Sequence, residues 1–498
     1  MTSGLPAPTR RTLLKGAGGL AMALGTLRLL AAETTLPQRV RLDADASALP
    51  DIQFDITASL APARTLSDGG GKVLARMPPR HTVFTTARLN RTPGRCDQQM
   101  LIDALATIES SYRYAADGII TFASYGVPYF SKLPGGMTGS LVSSYLPRLL
   151  ADTRTYALQE AVPGPTDVSP LNPGITKKTF NVPVVIESND FLLTIRGDNP
   201  AYISDVLAWL GGSNSLAGST VASPPLFGDL ATVTSSRAQF VQIGLPRHVA
   251  KVTGLAYAAE INPDSPMWMG FLDQQVDGAG PARICTFAGN SAARLTTAKP
   301  GDYFDNGAIQ HLSHVIEDLA QFYSLPSYFS PGEPYAQRVQ YAFRSDPIPS
   351  RGRKDQFTDG GGPAYLDNLF LGTNDAADNA QGIDTFRGEH RLGHLSCVQR
   401  SSRSAGGTPM HIRMDGPGFD KMDVPGGSRQ PKLQFTIFVP TADFFTTLRI
   451  NQASLDLQDD YGVAPKHNGL ERFLTATRRQ NYLIPPRRHR AFPLAEFT

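Results

Sequence analysis

The sequence has few cysteines and little net charge. Cys96, Cys285 and Cys397 are its only cysteines, and no two of them form a C-x-x-C pair. Neither a disulfide framework nor a cysteine zinc site is therefore indicated. A formal net charge of +3 over 498 residues gives no broad basic field for nucleic acid or for an anionic membrane. We expect no nucleic-acid partner and, beyond the N-terminal region, no membrane span.

Several common catalytic motifs are also missing. The sequence contains no G-x-S-x-G, no H-E-x-x-H and no G-x-x-x-x-G-K-[ST]. Gly360-Gly361-Gly362 stands between Asp359 and Pro363 without a flanking strand and helix, so it does not indicate dinucleotide binding. These absences exclude the site types that the motifs build, and they leave the nine histidines as the informative residues.

Residues 1 to about 32 have the order of an export signal. Arg10-Arg11 is followed by Leu13-Leu14-Lys15, then by a Gly/Ala/Leu-rich stretch over 16–30 and the small residues Ala31-Ala32. A lipid-surface helix is the alternative. We predict export through the twin-arginine translocase, a route for folded and often cofactor-loaded cargo, to the periplasm or the cell exterior.

Two parts of the mature chain show a strand followed by an amphipathic helix. In the first half a strand at 191–195 precedes a helix that starts at Asn199-Pro200 and ends at Gly211-Gly212. In the second half apolar residues alternate over 433–439, and a helix over about 442–449 follows, with Thr441 as its cap. A further helix carries Leu101, Leu105, Ile108 and Tyr112. This pattern predicts an α+β fold with an internal duplication.

Two pairs of histidines have spacings compatible with a metal site on a helix. His311 and His314 are three residues apart, and His390 and His394 are four apart. No third ligand lies within local reach of the first pair, which favours a solvated or capping role for it, and Gly393 weakens a helix at the second. A periplasmic metal-binding protein is still kept as a third possibility, behind the two given below.

His411 stands in a different context, Met410-His411-Ile412-Arg413. This segment resembles the H-I-R signature around the heme-ligating histidine of the dye-decolourising peroxidase family. That family also has an upstream G-F-x-D-G stretch, which Gly270-Phe271-Leu272-Asp273-Gln274 resembles, with Gln274 at the second glycine. It places a distal arginine downstream of the histidine, and Arg429 lies 18 residues past His411, directly before the apolar strand.

The resemblance covers most of residues 50–495 and implies a fold, a cofactor and an activity. The implied fold has two ferredoxin-like halves, 33–255 and 256–498, whose sheets form a dimeric α+β barrel with long loop insertions within 324–409. The implied cofactor is heme b, with His411 on the iron and Arg413 on a propionate. The implied reaction is reduction of hydrogen peroxide and oxidation of an organic reductant, with Asp273 moving the proton and Arg429 stabilising the developing charge.

The departures from the family pattern keep a second possibility open. Gln274 adds a side chain where the family has glycine, and 138 residues separate Asp273 from His411. An exported heme-binding or heme-handling protein on the same fold, without efficient turnover, is therefore the alternative to a peroxidase.

Overall fold

The fold is described from a computed structural model of the chain. It describes residues 49–60, 64–68, 71–75, 78–224, 226–263, 265–270, 282–289, 294–324, 397, 401, 411–461 and 470–498. The predicted export signal and most of the 324–409 segment therefore lie outside the described residues. Elements are numbered in chain order over the described part.

Within the described residues, the first half contains nine strands and five α-helices. They are β1 (Arg64–Asp68), β2 (Gly71–Ala75), β3 (His81–Leu89), α1 (Arg95–Ser111), β4 (Ile120–Gly126), α2 (Val127–Lys132), α3 (Ser140–Tyr145), β5 (Val185–Ile186), β6 (Phe191–Gly197), α4 (Pro200–Leu210), β7 (Ser215–Leu216), β8 (Ser219–Thr220), β9 (Ala231–Phe240) and α5 (Leu245–Val252). β1 pairs with β2, and β7 with β8, as separate hairpins.

The second half supplies five described strands and three described helices. They are β10 (Ala308–Glu317), α6 (Leu319–Tyr323), β11 (Ile412–Arg413), β12 (Gly416–Asp420), β13 (Gln430–Val439), α7 (Ala442–Ala453), α8 (Leu455–Tyr461) and β14 (Leu474–Ile484).

One large sheet joins the two halves. Its strand order is β11-β13-β10-β14-β4-β6-β3-β9; β12 also pairs with β13, and β5 pairs in parallel with β14. The main strands of the first half lie in the order β4-β6-β3-β9, and β12-β13-β10-β14 repeats that arrangement in the second half. The repeated order confirms the prediction of an α+β fold built from two similar halves.

The sheet curls until its two ends meet. Gln239 on β9 donates its Nε2 to the carbonyl oxygen of Met414, at 2.9 Å. A Cβ on Gly418 of β12 would lie only 3.0 Å from the carbonyl oxygen of Ala238 on β9, so glycine permits this close approach. The sheet therefore encloses an interior, and its other face is turned outward.

Aromatic rings from both halves fill part of that interior. Phe84, Phe122, Phe438 and Tyr482 belong to one buried cluster, and Phe54 stacks on Phe438 with ring centroids 4.4 Å apart. Truncating one such ring to alanine typically costs about 3–5 kcal/mol. This cluster therefore holds the two halves together.

The outer face is covered by helices whose apolar stripes follow from the sequence. On α4, the side chains of Ile203, Val206, Leu207 and Leu210 are buried. Asn199 caps this helix by accepting a hydrogen bond from the backbone N–H of Ala201 at 2.9 Å, and Pro200 occupies its first turn. The prediction for this helix is confirmed.

Other local predictions need small corrections. The Pro/Gly/Ser-rich stretch at 211–225, whose composition predicts a loop, contains the β7–β8 hairpin. Thr441 stands at the N-cap of α7, but its side chain makes no capping hydrogen bond. Of the described helices, none is both long and apolar enough to cross a membrane.

Candidate functional site

His411 directly precedes β11, on the edge of the sheet. It is 4% exposed, and its ring centroid is 6.3 Å from that of Phe444 on α7. The next residue, Ile412, pairs with Phe438 and packs against the interior cluster. Because side chains alternate along an extended chain, His411 and Arg413 share the face that α7 covers. The structure brings these two predicted residues together.

His311 on β10 lies on the same face of the sheet. A row of directly paired residues runs from β11 to β14 through Arg413, Ile437, His311 and Asn481. Residues directly opposite each other in antiparallel strands point to the same side. The two histidines, 100 residues apart in sequence, therefore face one layer between the sheet and α7.

His311 is held by a fixed set of contacts. Its Nδ1 is 2.6 Å from Oδ1 of Asn481, its Nε2 is 2.5 Å from Oγ of Ser313, and its ring stacks on Phe445 at 3.3 Å between centroids. With the amide oxygen of Asn481 facing the ring, Nδ1 carries the proton and Nε2 accepts from Ser313. Burial, reinforced by the charge of Arg479, lowers the pKa of His311 well below its usual value. His311 is therefore neutral.

Two buried ion pairs extend this layer. Arg479 on β14 donates Nε and Nη2 to the carboxylate of Asp167, at 2.7 and 2.9 Å. On α7, Nη2 of Arg449 is 3.2 Å from each carboxylate oxygen of Glu471. Burial alone would raise the pKa of Asp167 and of Glu471, but the neighbouring guanidinium groups hold both below their usual values. Both pairs are therefore ionised.

Cys397 lies beside α7. Its Sγ is 3.5 Å from the carbonyl oxygen of Leu448 on α7. Burial raises the pKa of Cys397 to about 11, while the positive charges of Arg449 and Arg413 act in the opposite direction. On the same side of the sheet, Nζ of Lys177 donates to the carbonyl oxygen of Glu471 at 2.5 Å. We call the side chains between α7 and the sheet the α7 layer: Asp167, Lys177, His311, Arg413, Arg449, Glu471, Arg479 and His411.

Arg429 is not part of the α7 layer. It is exposed and directly precedes β13. Phe438, which pairs with Ile412, is eight residues from Gln430 along that strand. At about 3.3 Å per residue, the two ends are roughly 26 Å apart. The structure does not bring Arg429 and His411 together.

Asp273 and Gln274 lie outside the described residues, but the segment before them is placed. The indole Nε1 of Trp268 donates to the carbonyl oxygen of Gly418 at 3.0 Å, and Gly418 pairs with Lys432 near the start of β13. This segment therefore lies at the same end of β13 as Arg429, opposite the end that His411 adjoins.

The helical placement of His311 and His314 is wrong. Both lie on strand β10, where an odd separation points them to opposite faces, so they cannot share a metal ion. His314 contacts Thr477 and Asp420 on the other side of the sheet. Among the described residues, no three His, Cys, Asp or Glu side chains lie close enough together to bind one metal ion. His390 and His394 lie outside them.

The chemistry of the α7 layer fits one side of a heme. His411 offers a buried imidazole, Phe444 an apolar ring beside it, and Arg413 a guanidinium two residues away for a carboxylate. Arg429 lies at the far end of β13, so of the described site residues only His411 and Arg413 are placed where they could hold a heme together.

The chain matches one family model, described as a family of unknown function (DUF7405), over residues 155–486, two thirds of its length. The matched range contains His411, Arg413 and every other residue of the α7 layer. No curated protein matches the chain.

Solved structures similar to this chain include two dye-decolorizing (DyP-type) peroxidases and one dye-decolorizing protein. The encapsulated DyP-type peroxidase from Mycobacterium smegmatis is 13% identical, with a TM-score of 0.43 and coverage of 83% of this chain and 94% of that one. A dye-decolorizing peroxidase from Bacteroides thetaiotaomicron is 10% identical, with a TM-score of 0.44 and coverage of 87% and 99%. A dye-decolorizing protein from V. cholerae is 12% identical, with a TM-score of 0.43 and coverage of 84% and 96%. These likenesses assign neither an activity nor a ligand to this chain.

Proposed function

The chain belongs to the DUF7405 family, whose function is unknown, and we propose from its own residues that it is an exported heme-binding protein. The observation that carries the proposal is the placement of buried His411 beside Arg413 on the face that α7 covers. A histidine ligand and a cation for a propionate are what a b-type heme requires of a protein.

When bound, heme supplies a redox-active iron centre. His411 would hold the iron through one ring nitrogen, and Arg413 would pair with a propionate. Phe444 and the apolar side of α7 would exclude water from the ligand side.

Export rests on the N-terminal sequence alone. Arg10-Arg11 before Leu13-Leu14-Lys15 is the order that the twin-arginine translocase reads. Because that route carries folded proteins, a cofactor bound in the cytoplasm would arrive with the chain in the periplasm or outside the cell.

Peroxidase turnover is the second candidate, and the Asp273 motif favours it. Asp273 would take a proton from peroxide and return it to the leaving oxygen, and Arg429 would stabilise the negative charge that develops. Both roles require proximity to the iron. Asp273 lies outside the described residues, and Arg429 lies at the far end of β13. Heme binding is therefore better supported than turnover.

Absorption spectroscopy of the purified protein separates the candidates. When hemin is titrated into the heme-free protein, we expect a Soret band whose intensity saturates at one heme per chain. The heat-unfolded protein is expected to leave the absorption band of free hemin unshifted. Absence of saturable binding would remove both candidates. Peroxide added to the heme-loaded protein then distinguishes them: rapid spectral change with oxidation of an added dye supports turnover, and a stable spectrum leaves a binding protein.

A further inference from the structure

The interior of the barrel holds a second polar cluster, separated from the α7 layer by the sheet. His314 points inward from β10, and Gln434, its paired residue on β13, shares that side. Arg237 on β9 pairs with Phe84 of the interior aromatic cluster and also points inward. We call Arg237, Gln239, His314, Lys432, Gln434 and Thr436 the inner cluster.

Two carboxylates from β12 and the turn after it close one end of the inner cluster. Asp420 lies 3.2 Å from Nε2 of His314 and 3.8 Å from Nζ of Lys432. Asp423 accepts from Nε and Nη2 of Arg478, both at 2.7 Å. Asp423 has a φ of 58°, an unusual conformation for a residue other than glycine. The side chains of Asp420, Asp423 and Arg478 are 16–28% exposed, so the inner cluster meets solvent here.

Arg237 has hydrogen-bonding capacity that its protein neighbours leave unused. Its side chain is fully buried, and Nη2 donates to Glu187. The other carboxylate oxygen of Glu187 already accepts from Nη1 of Arg478, at 3.2 Å. Across the part of the chain that is described, Nε and Nη1 of Arg237 have no hydrogen-bond partner. A buried guanidinium with open N–H groups is costly unless an acceptor is supplied.

Unused acceptors lie on the same side of the barrel. The Oε1 atoms of Gln239 and Gln434 and the Oγ1 of Thr436 are buried and have no hydrogen-bond partner among the described residues. The amide of Gln239 is held with its Nε2 on the carbonyl oxygen of Met414, which leaves Oε1 free to accept. Gly416 and Gly418 let β12 bring β9 and β13 close together. Open donors and open acceptors therefore face the same interior.

We propose that the inner cluster binds a small protonated oxyanion, of the hydrogenphosphate or hydrogencarbonate class, on Arg237. Anionic oxygens of such a ligand would accept from Nε and Nη1 of Arg237. Its O–H group would donate to a glutamine Oε1, and Thr436 would donate to or accept from it. A halide has no O–H group and would leave the glutamine oxygens unpaired. This site is independent of heme, because the sheet lies between it and the α7 layer.

Calorimetric titration of the purified full-length protein tests the proposal, with sodium phosphate and sodium hydrogencarbonate as probes in a chloride buffer. Saturable binding of one probe at one per chain is expected. Thr436→Val, which preserves shape, is expected to weaken that binding about tenfold or more, and Arg237→Met to abolish it. Lys421→Met, which removes an exposed positive charge from the same turn, should leave the affinity unchanged.

Three outcomes would overturn the proposal. One is the absence of saturable heat with both probes, and another is unchanged affinity in Thr436→Val. The third is a high-resolution structure, grown with the probe, that shows only water at Arg237. If Arg237→Met fails to fold because Glu187 loses a partner, the Thr436→Val comparison still decides the matter.

Discussion

At the residue scale, the fold opposes ionisation of Glu317. This last residue of β10 is buried, and its Oε2 has no partner in the described part of the chain. Burial, reinforced by the charge of Asp415, raises the pKa of Glu317 from 4.5 to about 8. The folded state therefore keeps a proton that the unfolded state releases above pH 4.5. The contribution of this proton to the free energy of unfolding is fully present below pH 4.5 and is lost as the pH rises through 8.

Glu317→Gln is expected to remove this pH dependence. The wild type should lose about 4 kcal/mol of unfolding free energy between pH 5 and pH 9 through this group, and the variant none of that amount, because glutamine stays neutral. Urea unfolding at several pH values measures the slope. Asp103→Asn, a change at an exposed carboxylate on α1, is the control and should leave the slope unaltered. If the free energy of unfolding had the same pH dependence in the wild type and in Glu317→Gln, ionisation of the Glu317 carboxyl would not destabilise the folded state.

Substitution of Asp273 tests peroxide turnover separately from heme binding. If it moves the proton of peroxide, Asp273→Asn should keep the heme spectrum and slow the reaction with peroxide by roughly 10²-fold or more. Gln274→Gly should speed the reaction if the glutamine side chain narrows access. Stopped-flow absorption of the heme-loaded proteins measures both rates. A heme-loaded wild type that ignores peroxide, with neither substitution changing that, would contradict turnover and leave heme binding intact.

At the element scale, α4 depends on its cap. Asn199→Ala removes the acceptor for the backbone N–H of Ala201 and should cost about 1 kcal/mol of unfolding free energy. Asn199→Ser keeps a capping oxygen and should cost only a few tenths. Chemical denaturation of the two variants provides the comparison. Equal destabilisation by both would mean that the amide acts through some contact other than the cap.

Sequence periodicity predicted α4 and β13 but failed at β10. Apolar side chains recur at alternate positions over 433–439 in β13. Asn199-Pro200 marks the start of α4, and Gly211 marks its end. In β10, Ile309, Leu312, Val315 and Ile316 have helical spacing, yet every residue of the strand is buried. A strand buried on both faces has no need to alternate, so its pattern imitates a helix. The placement of His311 and His314 on a helix rested only on their three-residue spacing, which a strand accommodates as well.

At the scale of the whole molecule, local motifs indicated part of the candidate site. The His411–Arg413 segment is visible in the sequence because its residues are adjacent. Asp167 and Arg479 are 312 residues apart, and they meet only because the 161–184 loop and β14 lie beneath α7. No local spacing in the sequence indicates a contact between residues so far apart. The α+β fold could be predicted, because each half repeats one order of strands and helices.

Export is a property of the whole chain that depends on two residues. Changing Arg10 and Arg11 together to lysine keeps the charge but removes the pair that the translocase reads, and the protein should remain in the cytoplasm. Arg28→Lys, a change within the same segment, should leave export normal. Cell fractionation followed by immunodetection measures both. Normal secretion of the double-lysine variant would refute the twin-arginine route.

Heme stoichiometry in two histidine variants tests the central proposal most directly. His411 and His311 are both buried in the α7 layer, and each is replaced by alanine in a separate protein whose folding is checked by circular dichroism. If His411 ligates the iron, His411→Ala should lose the Soret band and bind less than a tenth of the heme, since the axial bond holds the iron. His311→Ala should retain the band, because that imidazole is engaged by Asn481 and Ser313. Full heme occupancy in folded His411→Ala, or loss of heme only in His311→Ala, would contradict the assignment.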